Sequence, residues 1–525
     1  MAKFCAQEKE CFRVKYEQIL EKLRSLINQD GFDSLSFIDV VQQLALEHHF
    51  SEEIRIMLRE HHRHFFQRTH ITPDNLYTVC LSFRLLRQAG FPITQDVFKC
   101  FMNKNGNEFD EDLREDMEGL LALYEASHLD FEGEQILDKA ATFSARILST
   151  NSVGIFEDQH DQPVKYTLQN PRHKTMARLV AKNFLEKNVP KNEWTILLQD
   201  LARMDQAVVG SLFHDEVLQV VKWWDGLELT KELESARDQP KKWHMWSMSV
   251  LQDPTMSWHR ILLTKPVSLV YIVDDIFDIY GTMDQLELFT NAIKRWEIFD
   301  SEGLPNYMKT CFEAIQETTQ EIIDIVYQNH GFDPSNILKR SWGELFDAFL
   351  TEAKWFGNGH LAKADEYLSN GIVSSGVPMV LTHLFFILGD NVWSEEAHRV
   401  LSNGDHNNIL YLVGMILRLF DDLGSAQDEQ CYGNDGSYVE CYMKDFEVSS
   451  HAVAKKHVMK KVSETWKKLN KRALSSSSSS NPFSESFRNA CLNVARMVPV
   501  IYDKGRKNDL LALAQCFEST LNEDE

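Results

Sequence analysis

Apolar positions recur at three- to four-residue spacing from the start of the chain. Phe12, Tyr16, Ile19, Leu20, Leu23, Leu26 and Ile27 fall on one face, the signature of an amphipathic helix. Ala, Glu, Leu, Lys and Gln fill the stretches between such stripes. No run of alternating strand residues and no internal repeat interrupts them. The pattern predicts an all-α protein of two helical domains. With 23 Gly and 13 Pro in 525 residues, the chain has few helix breakers, which agrees with long helices. Residues 151–175 are polar and hold Gly154, Pro163 and Pro171, so they read as a loop. A second break lies at 188–192, around Pro190. Beyond it the chain becomes more continuously apolar and aromatic. The domain boundary is therefore expected near residue 200, giving domains 1–200 and 201–525. The six-serine run 475–480, followed by Asn481 and Pro482, cannot pack a core and reads as a surface loop.

Composition narrows the functional classes. Lys and Arg total 55 against 78 Asp and Glu, a net charge of −23, which argues against sequence-independent nucleic-acid binding. The nine cysteines are odd in number, scattered and free of any CxxC pair. That pattern fits a reducing compartment and opposes a disulfide scaffold or a zinc site. No apolar run reaches the ~18 residues of a membrane span. The best stretch, 261–273, is interrupted by Lys265 and Pro266. The first residues carry Glu8 and Glu10 and lack the apolar stretch of a signal peptide. A cytoplasmic protein is the expectation, or a plastid one if a transit segment precedes this sequence. The expected partner is a small molecule, and the expected state a monomer or weak dimer.

Two acidic clusters carry the candidate chemistry. Residues 269–280 read LVYIVDDIFDIY, apolar nearly all round, yet include Asp274, Asp275 and Asp278. Asp274 and Asp278 are i and i+4, one helical turn apart. Two like charges in an apolar setting cost several kcal/mol unless neutralised. A hard cation is the natural remedy, because carboxylate oxygens suit magnesium. The competing reading is a helix end with solvated acids before Gly281. A second apolar run, 409–419, leads into Asp421, Asp422, Ser425 and Glu429. Asp421, Ser425 and Glu429 recur every fourth residue and line one face over about 12 Å. Alone, they also read as an exposed acidic turn. If both helices line one bundle, however, their acids can meet across a pocket mouth. A cage of several magnesium ions completed by a diphosphate is then economical. Arg237 and Arg418 are the candidate diphosphate cations, since Arg suits bidentate phosphate contact. Arg237 could instead form a surface ion pair with Asp238 or Glu234. Arg418 lies in an apolar run where an unpaired guanidinium would be costly.

These residues resemble the plant class I terpene synthases along essentially the whole chain. VDDIFDIYGT at 273–282 looks like the family's DDxxD motif, and RLFDDLGSAQDE at 418–429 is similar to its second metal motif. LLTKPVSLV before the first motif, EAKWF at 352–356 and ARMVP at 495–499 are also similar to family segments. The resemblance implies a non-catalytic α-helical amino-terminal domain and a carboxy-terminal catalytic bundle. It implies Mg²⁺-assisted ionisation of a prenyl diphosphate, with three ions and with Mn²⁺ as a substitute. Asp274 and Asp278 would hold two ions, Asp275 would support them, and Asp421, Ser425 and Glu429 would hold the third. Arg237 and Arg418 would hold the diphosphate.

The departures from the family pattern are informative. No tandem-arginine RRx8W motif is present. The RxR motif reads Arg237-Asp238-Gln239, and Ser437 stands where a lysine often follows the second motif. These losses thin the cations near the diphosphate and weigh against cyclisation. RDQPKKWHMW at 237–246 and GSYVECYMK at 436–444 resemble the subfamily of linalool and nerolidol synthases. That resemblance implies capture of the allylic cation by water, giving an acyclic tertiary alcohol from farnesyl or geranyl diphosphate. Other readings stay open: a synthase of cyclic or acyclic olefins, a prenyl chain-elongating transferase, or a non-catalytic helical scaffold.

A carbocation needs apolar walls and π faces, for which Trp246, Phe277 and Tyr502 are candidates, against the plainer reading of core packing. Trp246 is favoured because it follows Arg237 on what reads as one helical segment. Gly371, Ser374, Ser375, Gly376 and Pro378 interrupt a helical pattern. They read as a kinked pocket wall or as a plain interhelical turn.

Overall fold

The computed structural model describes residues 6–29, 31–67, 75–151, 162–186, 192–299, 303–402, 404, 407–428, 436–475, 481–503 and 506–518. Among them every regular element is helical, and the sole β interaction is an isolated bridge between Met102 and Phe109. The chain forms two compact units. One comprises Met1–Ser211, Asn470–Ser479 and Leu511–Glu525; the other comprises Leu212–Leu469 and Ser480–Leu510. The boundary expected near residue 200 lies inside the 34-residue helix Glu193–Gly226.

In the first unit, the stripe read from Phe12 to Ile27 forms the helix Ala6–Ile27, with Ile19 and Leu23 buried. Helix Leu76–Gln88 packs on Met117–Ser127, and that in turn on Gln135–Asn151. Buried charges are paired: Arg84 with Asp39, and Arg87 with Glu134. Asp205 accepts hydrogen bonds from His48 and His49 at 3.1 and 3.0 Å. These bonds outweigh burial and hold its carboxyl below the usual range.

The reading of 151–175 as a loop needs correction. Gln162–Gln169 is a helix and Arg172–Lys174 a 3₁₀ turn. Pro163 falls in the first helical turn, where its missing N–H costs nothing. The break at 188–192 ends on Asn192, whose side chain caps the next helix by accepting from the Thr195 N–H at 2.9 Å. Residues 152–161, 187–191 and 476–480 lie outside the described residues, and with them most of the first break and of the serine run.

The second unit positions the site. Helix Ser257–Asp275 runs through Pro266 and buries Leu262, Leu263, Leu269, Ile272 and Val273. It packs against Pro240–Val250, Asn306–His330 and Val377–Leu388, while Ile409–Asp428 packs against Glu485–Tyr502. The stretch Ala364–Leu388 is long and apolar enough to cross a membrane, but 72% of its most apolar window is buried inside the protein. The stretch comprises two core helices, Ala364–Ser374 and Val377–Leu388. Between them Gly376 has φ +73°, left-handed backbone that favours glycine.

Candidate active site

A cavity of about 580 Å³ opens in the second unit. Its mouth is lined by Arg237, Lys242, Asp274, Asp278, Arg418 and Asp421. Deeper walls are largely apolar and include Trp246, Val250, Leu263, Val267, Leu381 and Leu384. Both acidic clusters therefore reach one cavity, although they come from helices far apart in sequence.

The first cluster sits where α-helix gives way to a π-helical turn, Ile276–Tyr280. The turn closes with the Gly281 N–H donating to the Ile276 carbonyl at 2.8 Å, and Asp278 lies within it. Asp274 and Asp278 line the cavity, whereas Asp275 turns back and is buried. Asp275 accepts from the Arg237 N–H at 2.7 Å and pairs with the Arg237 guanidinium at 2.7 Å. The tandem aspartates thus divide their work: one faces the cavity, and the next fastens the loop carrying Arg237. Burial raises the Asp278 pKa to about 7, helped by the nearby charges of Asp274 and Glu352, even though its outer face meets solvent.

The second cluster is similarly divided. Asp421 lines the cavity, and burial raises its pKa against the pull of Arg418, with Asp274 adding repulsion. Asp422 is buried away from it, accepting from the Tyr438 N–H at 2.9 Å and the Tyr367 hydroxyl at 3.1 Å. Burial pushes its pKa up to about 7. Ser425 lies exposed one turn beyond Asp421, and Glu429 lies outside the described residues.

Both arginines are held by the protein. Arg237 pairs with Asp274 and donates to the Tyr271 carbonyl at 2.9 Å, its guanidinium lying 4.8 Å from the Tyr271 ring centroid. The sequence pattern places it on one helix with Trp246, and the structure does not. The helix Pro240–Val250 starts three residues later, because a proline favours helix position N1 and biases the residue before it away from helix. Arg418 donates from Nε to the Gly371 carbonyl at 3.0 Å, from Nη1 to Asp421 at 3.2 Å and from Nη2 to Ser374 at 3.2 Å. A Cβ on Gly371 would stand 3.1 Å from the Arg418 side chain, so glycine admits this close approach.

Among the aromatic candidates, Trp246 and Tyr502 line the cavity. Phe277 does not; it packs against Phe346 and Phe349 at centroid distances of 5.7 and 5.5 Å. The π-helical turn redirects the residues after Asp275, and Phe277 points into this aromatic cluster. The interruption at 371–378 does form cavity wall, through Ser374, Ser375, Gly376 and Val377. Among the lining residues not singled out from the sequence are three polar ones near the acids, Tyr271, Lys242 and Glu352. Glu352 is held by the Ser374 hydroxyl at 2.6 Å, and burial raises its pKa. Only the EAKWF resemblance pointed near it.

Comparison with known proteins fits this geometry. The family model described as "Terpene synthase family, metal binding domain" matches residues 225–468, and "Terpene synthase, N-terminal domain" matches 2–168. An (E)-nerolidol synthase of Cannabis sativa is 42% identical over 96% of this chain and 91% of its own. A chloroplastic S-(+)-linalool synthase of Arabidopsis thaliana is 40% identical over 93% and 84%. Isoprene synthase from grey poplar, solved with three Mg²⁺ ions and dimethylallyl-S-thiolodiphosphate, superposes with a TM-score of 0.88 at 32% identity, covering 98% of each chain.

Proposed function

The chain belongs to the plant terpene synthase family, and we propose that it ionises farnesyl or geranyl diphosphate and captures the allylic cation with water. The product is an acyclic tertiary alcohol, nerolidol or linalool. One observation carries the first half of this reading: Asp274, Asp278 and Asp421 converge on the mouth of one apolar cavity. Similarity to a nerolidol synthase and a linalool synthase supports the second half.

The donor set fits magnesium. The cavity-lining acids offer only carboxylate oxygens, and burial and mutual repulsion already raise Asp278 and Asp421. Asp274 and Asp278 would hold two ions, and Asp421 with Ser425 and Glu429 a third. Bound there, the ions supply charge stabilisation for a departing diphosphate. Arg418, anchored by Gly371 and Ser374, holds positive charge beside Asp421. Arg237 does the same beside Asp274. Charge placed in advance stabilises a leaving anion without reorganisation. The apolar walls keep bulk water from the hydrocarbon, and the Trp246 face can meet the allylic cation. The C–O bond to diphosphate breaks with its electron pair on the leaving group. A water oxygen then bonds to the tertiary carbon, and the proton it sheds passes to the released diphosphate.

The test is incubation with Mg²⁺ and, separately, geranyl and farnesyl diphosphate, read by chiral gas chromatography–mass spectrometry. Asp274→Ala serves as the blank. Linalool or nerolidol, lost in that variant, is the expected result, and the relative rates give the chain-length preference. Cyclic or olefinic hydrocarbons would overturn water capture while leaving the ionisation reading intact. A product formed only when isopentenyl diphosphate is added would replace it with chain elongation.

A further inference from the structure

Among the described residues, three cations line the cavity: Arg237, Arg418 and Lys242. The two guanidiniums are occupied by Asp274 and Asp275 and by Asp421, Gly371 and Ser374. Lys242 differs. Among the described residues, it is the lining cation without a carboxylate partner. It sits in the first turn of helix Pro240–Val250, exposed at the cavity mouth. Its ammonium is 5.7 Å from the Trp246 ring centroid, near the outer limit for cation–π attraction. No protein group among the described residues accepts from its three N–H donors. Partial burial, and then the positive field of Arg237, lower the Lys242 pKa. Two cations side by side, one of them without a counter-ion, make an arrangement that an anion would relieve.

We propose that Lys242 binds the substrate diphosphate directly at the cavity mouth, as the cation whose donors no protein group has claimed. This assignment rests on the prenyl diphosphate reading above. Gln239 also lines the cavity but is neutral, so it cannot take this part. An ammonium is a compact charge with three rotatable donors, which suits a phosphate oxygen approached from the rim. A contact made equally in the ground and transition states raises KM and leaves kcat unchanged when lost.

The experiment measures calorimetric binding of inorganic pyrophosphate in the presence of Mg²⁺ to the full chain. It compares wild type, Lys242→Gln and Lys242→Arg, with kcat and KM measured on both prenyl diphosphates. Loss of one charged hydrogen bond predicts about 10-fold weaker pyrophosphate binding and a similar rise in KM for Lys242→Gln. Lys242→Arg should stay within about 3-fold of wild type, because it keeps the charge. Melting temperatures of all three should coincide, since an exposed mouth residue carries little packing. Lys242→Gln that turns over substrate and binds pyrophosphate as wild type does would overturn the assignment alone. Equal weakening in Lys242→Arg and Lys242→Gln would also overturn it, since charge would then not matter. Wild-type protein that neither binds pyrophosphate nor consumes either substrate would overturn the underlying reading as well.

Discussion

The wall that carries Trp246 is secured by a buried charge network, and removing its centre should loosen the site without touching it. Glu216, 1% exposed, receives two hydrogen bonds from Arg260: Nε at 2.9 Å and Nη2 at 2.6 Å. It also bonds His244 at 2.9 Å, and the second His244 nitrogen meets Thr264 at 3.0 Å. Arg260 is equally buried, so Glu216→Leu leaves a guanidinium in the core without its counter-charge. Breaking a buried pair from one side costs about 3–5 kcal/mol. At roughly 2–4 °C per kcal/mol for a unit of this size, melting should fall by about 6–20 °C. His244 precedes Trp246 by two residues on one helix, so kcat/KM should fall together with stability. Thermal unfolding followed by circular dichroism would read Glu216→Leu, Arg260→Leu and the double variant. The double variant should be less destabilised than the two losses added, because neither charge is then stranded. Strict additivity, or a Glu216→Leu protein that melts within about 2 °C of wild type, would refute the argument.

Two further outcomes follow from the same unit. His383 is fully buried, donates from Nδ1 to the Met379 carbonyl at 2.9 Å and has no partner at Nε2; burial lowers its pKa to about 4. The unfolded chain therefore binds this proton first, so stability is complete above pH ~6.5 and about 3 kcal/mol is lost as pH falls towards 4. Urea unfolding at pH 7.5 and 4.5 should show a smaller loss in His383→Leu, and an identical loss would refute the assignment. Gly376→Ala would place a methyl 2.6 Å from the Val270 side chain at a φ of +73°. The left-handed backbone and the overpacking together should cost about 2–5 kcal/mol in urea unfolding. A Val270→Ala background should recover the overpacking share, and no recovery would show that the clash is not the cause.

Much of the helical frame was legible because burial is periodic. The stripe through Ile19 and Leu23 needed no partner to be recognised. The acids at 274, 278 and 421 were legible for a related reason: charge inside an apolar run is costly, so its presence asks for a function. What failed depended on local geometry that spacing does not encode. A π-helical turn sends Phe277 into an aromatic cluster instead of the cavity. Pro163 and Pro240 marked helix starts, where a sequence scan reads breaks or continuity. Glu352 carried no signal of its own, since a lone glutamate in a helix is ordinary until Ser374 and Asn370 close on it. Lys242 stood inside the RDQPKKWHMW segment, where resemblance alone does not separate a cavity cation from its neighbour Lys241.

The division of labour within each acidic pair explains why the motifs are tandem. In both clusters one aspartate faces the cavity, and the next is buried and fastens a neighbouring segment. Asp275 holds the Arg237 loop, and Asp422 holds the start of helix Tyr438–Asp445 through the Tyr438 N–H. The facing carboxylates are thereby fixed at short range of each other instead of relaxing apart. Burial first, and then the repulsion of Asp274, raise the pKa values of Asp278 and Asp421, so holding these carboxylates ionised there is unfavourable alone. Among the described residues lining the cavity, the carboxylates of Asp274, Asp278, Glu352 and Asp421 outnumber the cations Arg237, Lys242 and Arg418. A bare diphosphate would therefore meet net repulsion. The same carboxylates attract divalent ions, and a diphosphate arriving with them meets positive charge instead. The acidity that repels the substrate anion by itself is what makes its binding conditional on metal.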